Sequence, residues 1–307
     1  MVAVTGDRQS VILEWRDGPP SPATDALFEA AREADAEMDF SSPARALARQ
    51  APWCRTAEVR TVLHRWAMSR PSEARLAAVV VVWRVGPARW VADIVVDPRF
   101  RSVGLATTVF EQIGTTPSGG LLADVREGGE LVGCAFGAHP AAERLARRFG
   151  AVLTGRRDRL VLPSQSAYRD SRIAAGADVP FSARPVDPPA VTPARTLWDD
   201  FETAGATDRW LEIGPGAGYV LIGWGGGTPG GAGRIRDIVP VTGSRRTEPA
   251  DPSMLVRAGV EWLWRQGATS IEASVDVSDI GALDVFRSAA FQHDRSDLLF
   301  AGASLSF

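Results

Sequence analysis

The sequence predicts an α/β (α+β) protein built from two similar units. Segments rich in β-branched residues alternate with segments of helical periodicity, in the order strand, helices, three strands, helix, strand, helix and strands. A polar, proline-rich segment follows Pro163, and similar elements then recur. The 307 residues suffice for two ordinary domains, so we predict an internal duplication with domains at residues 1–165 and 166–307.

The first unit contains the more regular patterns. Apolar residues at helical spacing predict helices over 22–38, 103–113 and 140–150, and a short helical or irregular piece extends to about residue 58. Runs rich in β-branched residues predict strands at 11–15, 61–68, 76–85, 89–96 and 120–125, with the closing pair "AVLTG" and "RLVLP".

The second unit repeats these patterns. Strands are predicted at "WLEI", "GYVLIGW", "GRIRDIVPV", "SIEASV" and "SDLLFAGA", and helices at "LWDDF", "SMLVRAGVEWLWRQG" and "DIGALDVFRSAAF". Asp93 and Asp237 open equivalent Asp-Ile-Val segments 144 residues apart, and Ala142 and Ala282 lie 140 residues apart in equivalent helices. The repeat length is therefore about 145 residues.

Composition excludes several classes of function. The net charge of −3 and the isoelectric point near 5.7 provide no broad basic surface, so we expect no nucleic-acid partner. All 34 basic residues are arginine, which excludes lysine chemistry. Cys54 and Cys134 form no Cys-x-x-Cys or Cys/His cluster, so we expect no metal and a reduced, cytoplasmic protein. Neither a signal peptide nor a membrane-spanning run is predicted.

The segment "DIVVDPRFRSVGLATTVFEQIG" is a strand, a tight turn and a helix. Such a turn directs several N–H groups and the positive end of a helix dipole at one place, as a pyrophosphate requires. Gly104 would let phosphate oxygens approach the backbone, Ala106 keeps the next turn small, and Arg101 could add a charged contact. The alternative is an ordinary strand–turn–helix with a chance arginine.

In this segment, Arg101-Ser102-Val103-Gly104-Leu105-Ala106 resembles the acetyl-coenzyme A motif Arg/Gln-x-x-Gly-x-Gly/Ala of the Gcn5-related N-acetyltransferase (GNAT) superfamily. The resemblance implies two tandem GNAT folds, each a mixed, mostly antiparallel twisted sheet flanked by helices. It also implies that the first domain binds acetyl-CoA or another acyl-CoA and transfers the acyl group to a small-molecule amine. The tandem order and "FGAHPAAERLARRFGAVLTGRRDRLVLP" resemble the actinobacterial mycothiol synthase family.

The resemblance also implies roles on the strand before the turn. The backbone N–H groups near Val95 and Val96 would bind the negative charge that develops on the thioester oxygen. Asp93 stands where the superfamily often has a carboxylate base that acts through water. Asp93 could equally be a structural or solvated carboxylate.

The proton donor for the leaving thiolate is missing from its usual place. The superfamily often has a tyrosine in Asn-x-x-Ala-x-x-x-Tyr, but this sequence has Ala146 in the first half and Phe286 in the second. Cys134 and His139, near the start of the same helix, are candidate substitutes. A lone cysteine and a lone histidine are more often packing or surface residues.

The second half departs further from the pattern. Its equivalent turn is "SRRTEPADP", in which Arg245 and Arg246 could meet an anion but Glu248 and Asp251 oppose phosphate. Pro240 replaces Val96 and has no N–H. We therefore expect a degenerate second domain, the reverse of the mycothiol synthase arrangement, which argues against mycothiol synthesis.

Two other functions remain open at this stage. The missing tyrosine and the broken second turn favour a non-catalytic acyl-CoA-binding or interaction protein. Tandem GNAT folds also serve in transferases that use aminoacyl-tRNA, although the acidic isoelectric point argues against that function. The acceptor, the acyl chain and the oligomeric state are not predicted.

Overall fold

A computed structural model describes residues 2–6, 9–37, 40, 43–61, 74–115, 129–171, 182–190, 196–202, 207–214, 218–225, 231–241 and 251–302. The chain divides into two compact units. Unit 1 comprises Met1–Thr154, Leu197–Thr203 and Leu298–Phe307, and unit 2 comprises Gly155–Thr196 and Ala204–Asp297. Both units are mixed sheets, mostly antiparallel and flanked by helices, as the sequence predicts.

In its described residues, unit 1 contains six complete strands and four α-helices. The strands are β1 (Val2–Gly6), β2 (Gln9–Asp17), β3 (Cys54–Thr61), β4 (Arg75–Gly86), β5 (Arg89–Val96) and β6 (Glu130–Ala135), and the helices are α1 (Asp25–Asp35), α2 (Ala44–Gln50), α3 (Leu105–Thr115) and α4 (Pro140–Arg148). Short 3₁₀ helices lie at Pro22–Thr24, Pro98–Phe100, Phe136–Ala138 and Leu197–Phe201. Strands β1 to β6 are neighbours in chain order.

Unit 2 also combines a mixed sheet with helices. Strand β7 (Ala151–Leu162) enters it from unit 1, and the chain continues through α5 (Gln165–Arg169), β8 (Ala183–Val186), β9 (Arg209–Ile213), β10 (Gly218–Trp224), β11 (Ala232–Pro240), α6 (Pro252–Arg265), β12 (Ser270–Asp276), α7 (Ile280–Ser288) and β13 (Gln292–Gly302). Its strand order is β7, β12, β11, β10, β9, β8. Apolar residues of α6, including Leu255, Val260 and Leu263, lie in the hydrophobic core.

Several element boundaries differ from the sequence expectations. Strand β3 begins at Cys54, within the piece expected to be helical or irregular. The expectation was wrong because polar residues occupy some buried positions of β3 and interrupt its apolar pattern. Thr56 donates a hydrogen bond to the Gly18 carbonyl (2.8 Å), and Glu58 accepts one from Ser21 (2.9 Å). The expected closing pair is one twelve-residue strand, β7, and β8 lies in the segment expected to be linker.

Some expectations fall outside the described residues. These are most of the strand expected at 61–68, the strand expected at 120–125, and most of the turn "SRRTEPADP" with Arg245, Arg246 and Glu248. Of that turn, Asp251 and Pro252 are described: the Asp251 carboxylate caps α6 by accepting the Ser253 N–H (2.9 Å). This cap is an ordinary helix start.

Two apolar layers cover the two faces of the unit 1 sheet. Helix α3 covers one face, where Leu105 and Val109 join a cluster with residues of β2, β3 and β4. Helices α1 and α2 cover the other face, where Leu27 and Leu47 join a second cluster. Late segments of the chain complete this second layer, since Phe201 and Leu299 also belong to it.

We predict that Leu299→Ala destabilises the protein by about 2–5 kcal/mol, the usual range for removing a buried leucine side chain. Leu299 is fully buried and pairs with Cys134 of β6. Leu153→Ala is the matched control, because Leu153 is 57% exposed and should change stability little. Urea unfolding of both variants measures the difference, and equal values would contradict a packing role for the last strand in unit 1.

Candidate functional site

Strand β6 divides its pairing between two neighbours. It pairs in parallel with β5 at Arg89–Val91, and among the described residues this ladder goes no further. From Leu131 to Ala135 it pairs antiparallel with β13, at Leu298–Gly302. Strands β5 and β6 therefore separate beyond Val91. We call the gap between Ala92–Val96 of β5 and Gly133–Ala135 of β6 the wedge. Residues 92–96 are half-buried, whereas β4 beside them is buried over most of its length.

Alternate residues of β5 direct their backbone N–H and C=O groups to opposite edges of the strand. This alternation, which we call the parity of β5, determines which backbone groups face the wedge. The Asp97 N–H donates to the Ala77 carbonyl (2.9 Å), so Asp97 and Ala77 form a hydrogen-bonded pair across β4 and β5. Such pairs alternate along an antiparallel ladder. Val95 and Asp93 therefore direct their backbone groups at β4. Ile94 and Val96 direct theirs away from β4, towards the wedge.

This parity refines the expected pair of donors. Val96 directs its N–H towards the wedge, as the oxyanion role requires, but the Val95 N–H is directed at β4. The second N–H directed towards the wedge is that of Ile94, next to Val95. Pairing parity could have identified Ile94 only if the register against β4 had been known.

The side chains of β5 alternate between the two faces of the sheet. Ala92, Ile94 and Val96 pack on the α3 face, whereas Val91 and Val95 pack on the α1/α2 face. Asp93 shares the α1/α2 face by this alternation and is half-exposed. Cys134 of β6 packs against the same apolar cluster, so the structure brings these two candidates to one side of the wedge.

The turn after β5 adopts the geometry of an anion site. Ser102 (φ 63°) and Gly104 (φ 81°) have left-handed backbone conformations, and the Gly104 carbonyl accepts the Thr108 N–H (3.0 Å) as α3 begins. The first N–H groups of a helix lack intrahelical partners, which here are those of Leu105, Ala106 and Thr107. A Cβ placed on Gly104 would meet no protein atom within 4 Å, so the approach to this backbone is open.

The remaining residues of the turn anchor it or face solvent. Phe100 and Leu105 are buried in the α3-face cluster, while Val103 is 40% exposed. Buried Asp97 accepts hydrogen bonds from the N–H and the guanidinium of Arg99, and Arg99 holds the pKa of this carboxyl below its usual value. This anchored turn fits a pyrophosphate bound by backbone N–H groups.

Arg101 has partners other than the turn. Its guanidinium donates two hydrogen bonds to the carboxylate of Asp35, at the end of α1 (2.6 and 2.9 Å), and its Nε donates to the Val96 carbonyl (3.2 Å). Asp35 is 9% exposed. A phosphate contact of Arg101 stays a prediction, and in this structure a carboxylate occupies the fork.

His139 caps a helix. Its Nδ1 accepts the Ala141 N–H (3.1 Å) at the start of α4, and its ring lies edge-on to Phe40, with 4.6 Å between centroids. Burial lowers the pKa of His139, and the positive charges of Arg101 and Arg144 lower it further against the opposing effect of Asp35. A neutral imidazole that uses Nδ1 as acceptor is better suited to capping than to protonating a thiolate.

In unit 2 the corresponding parallel strands also separate, but the two N–H donors of unit 1 have no equivalent there. Strand β11 pairs in parallel with β12 at Ala232–Ile235, and among the described residues the ladder ends there. Ile238, the counterpart of Ile94, donates its N–H to the carboxylate of Asp237 (2.7 Å). Pro240, the counterpart of Val96, has no N–H. The second copy of the strand therefore offers neither of the two donors found in unit 1.

Two further findings concern metals and membranes. The described part of the chain holds no group of three or more His, Cys, Asp or Glu side chains arranged as a metal site. Within the same residues, every helix is too short or too polar to cross a bilayer.

Cys54, the cysteine other than Cys134, is buried. This burial raises the pKa of its thiol to about 11, so Cys54 is poorly suited to nucleophilic chemistry.

Two of the solved structures that resemble this chain match it over nearly its whole length. A GCN5-related N-acetyltransferase from Sphaerobacter thermophilus has 16% sequence identity and a TM-score of 0.56, covering 94% of this chain and 96% of that one. A tandem GNAT protein from the clavulanic acid biosynthesis pathway has 14% identity and a TM-score of 0.59, covering 95% and 99%. No protein-family model and no curated protein matches the sequence.

These likenesses show the fold. The chain consists of two tandem GNAT folds, as the resemblance of its Arg-x-x-Gly-x-Ala turn implied. The relation to mycothiol synthase and the actinobacterial origin stay predictions.

We predict that His139→Asn flattens the pH dependence of stability between about pH 7 and pH 5. Because the folded-state pKa of His139 is lowered, the unfolded chain takes up a proton first as the pH falls, and wild-type stability decreases there. Asparagine retains a capping acceptor without this titration. Urea unfolding at pH 5, 6 and 7 measures the slope, and an unchanged slope would show that His139 titrates normally.

Proposed function

We propose that the protein is an acyl-CoA-dependent N-acyltransferase that transfers an acetyl or other acyl group to a small-molecule amine. One observation carries the proposal: unit 1 retains two wedge-facing N–H groups beside an open helix start, and unit 2 has lost both donors on its strand. The catalytic domain is residues 1–165, completed by late segments of the chain. The rest of residues 166–307 forms a degenerate domain that binds no CoA in the usual way.

The turn binds the pyrophosphate of CoA through the backbone of Ser102–Ala106. The left-handed conformations at Ser102 and Gly104 and the helix dipole of α3 support this role. Backbone donors suffice for this contact, so the proposal requires nothing from the Arg101 side chain. The thioester then extends along β5 into the wedge, where the Ile94 and Val96 N–H groups stabilise the negative charge that develops on its carbonyl oxygen.

Asp93 acts as the base. Its side chain lies on the α1/α2 face, on the side of β5 opposite α3, so an amine could approach the wedge there without crossing the CoA-binding turn. The carboxylate takes the ammonium proton directly or through one water. Cys134, on the same face, is the remaining candidate for protonating the thiolate. Otherwise water does so.

A non-catalytic acyl-CoA-binding protein is the second candidate. Ala146 replaces the tyrosine expected on α4, and His139 is a cap with a lowered pKa. The usual position therefore holds no proton donor, and the candidate substitute His139 is poorly suited to the role. Thiol release from acetyl-CoA against a broad amine panel distinguishes the two functions: binding without release with any amine selects the non-catalytic one.

We predict that Gly104→Asp abolishes CoA binding, because it directs a carboxylate at the pyrophosphate and forces a side chain into a left-handed conformation. The expected stoichiometry in wild type is one CoA per chain. Gly150→Asp is the matched control, because Gly150 is also left-handed with open space around it but lies after α4. Titration calorimetry on folded variants gives both values. Unchanged affinity in Gly104→Asp, or two CoA per wild-type chain, would contradict this assignment.

We predict that Asp93→Asn leaves CoA affinity nearly intact and lowers turnover about 10²–10⁴-fold, the usual effect of losing a positioned base. Cys134→Ala should be mild unless the thiol protonates the leaving group. Thiol release with an amine that is active for wild type measures the effect. Full activity in Asp93→Asn would eliminate this residue as the base.

A further inference from the structure

The Asp35–Arg101 ion pair is built more firmly than an ordinary surface pair. The contact is bidentate, Asp35 is 9% exposed, and 66 residues separate the partners. A third Arg101 donor, Nε–H, binds the Val96 carbonyl. One side chain thus connects the end of α1 to the last residue of β5.

The position of the Val96 carbonyl gives this connection a chemical meaning. By the parity of β5, the backbone groups of Val96 face away from β4, on the wedge side. A carbonyl dipole there repels negative charge, whereas an N–H attracts it. Arg101 satisfies this carbonyl and restricts rotation of the strand end, while Asp35 neutralises the added positive charge.

We infer that Asp35 and Arg101 are a positioning pair that holds the Val96 backbone so that its N–H serves the acyl carbonyl, and that Arg101 is not a pyrophosphate ligand. This inference rests on the proposed function, which supplies the acyl-CoA. It assigns the arginine of the motif to the acyl end of the ligand. It also makes Asp35, for which the sequence predicts no role, part of the site's support.

The test compares two ligands by titration calorimetry. CoA reports the pyrophosphate contact, and the carba(dethia) analogue of acetyl-CoA, in which a methylene replaces the thioester sulfur, adds the carbonyl without being cleaved. The ratio of the two dissociation constants isolates the carbonyl contact. The variants are Arg101→Met, Arg101→Lys and Asp35→Asn. Arg45→Met is the matched control, because Arg45 pairs with Asp25 at the other end of α1.

We expect wild type and Arg45→Met to bind the analogue about three- to ten-fold more tightly than CoA, the range for one hydrogen bond. Arg101→Met and Asp35→Asn should lose this preference and keep CoA affinity within about three-fold of wild type. Arg101→Lys should recover part of the preference, because lysine retains the charge without the bidentate fork. Thermal unfolding establishes that each variant is folded.

Three results would overturn the inference. CoA affinity that falls about ten-fold or more in Arg101→Met but not in Asp35→Asn would make Arg101 a phosphate ligand. A preference retained by both variants would leave the pair with a purely structural role. Equal affinity of wild type for both ligands would show that the Val96 N–H makes no stabilising hydrogen bond to the acyl carbonyl. A wild type that binds neither ligand would instead contradict the proposed function itself.

Discussion

The divided pairing of β6 is the constraint on which the candidate site depends. A strand in the middle of a sheet normally satisfies its backbone on both edges. Here β6 pairs with β5 over three residues and with β13 along its other edge, and among the described residues no strand pairs with the end of β5 on the wedge side. The Ile94 and Val96 N–H groups are directed at the wedge because the pairing of β5 with β6 ends before them. Every role proposed for the turn, the base and the positioning pair is defined relative to this open edge.

The two copies of the strand show how such an edge can lose its N–H donors without a change of fold. Both units retain the splay, the following helix and the Asp-Ile-Val start. In unit 2 a proline removes one donor and a carboxylate on the preceding residue occupies the other. Two local changes in hydrogen bonding therefore separate the copies, while packing preserves the second one. Fold and binding capacity are under different physical control.

Much of the fold could be predicted because apolar periodicity follows burial. The edges of β4 and β5 match the predicted strands within a residue or so, and α3, α4, α6 and α7 lie where periodicity predicts helices. Strand β3 escaped prediction because hydrogen bonds allow polar Thr56 and Glu58 to be buried. The Asp35–Arg101 pair could not be predicted, since the sequence holds no signal that connects residues so far apart. The parity that selects Ile94 requires a register, which only the folded sheet supplies.

The membership of Leu197–Thr203 and Leu298–Phe307 in unit 1 has a consequence for how the protein is made and how it could evolve. The N-terminal segment of unit 1 emerges from the ribosome first, yet Phe201 and Leu299, which complete its core, are synthesised later. The first unit therefore cannot mature during translation of its own residues alone. A truncation after residue 165 would also remove Phe201 and Leu299 from the core of unit 1. Selection for unit 1 therefore acts also on Leu197–Thr203 and Leu298–Phe307, which are separated from the rest of it by segments of unit 2.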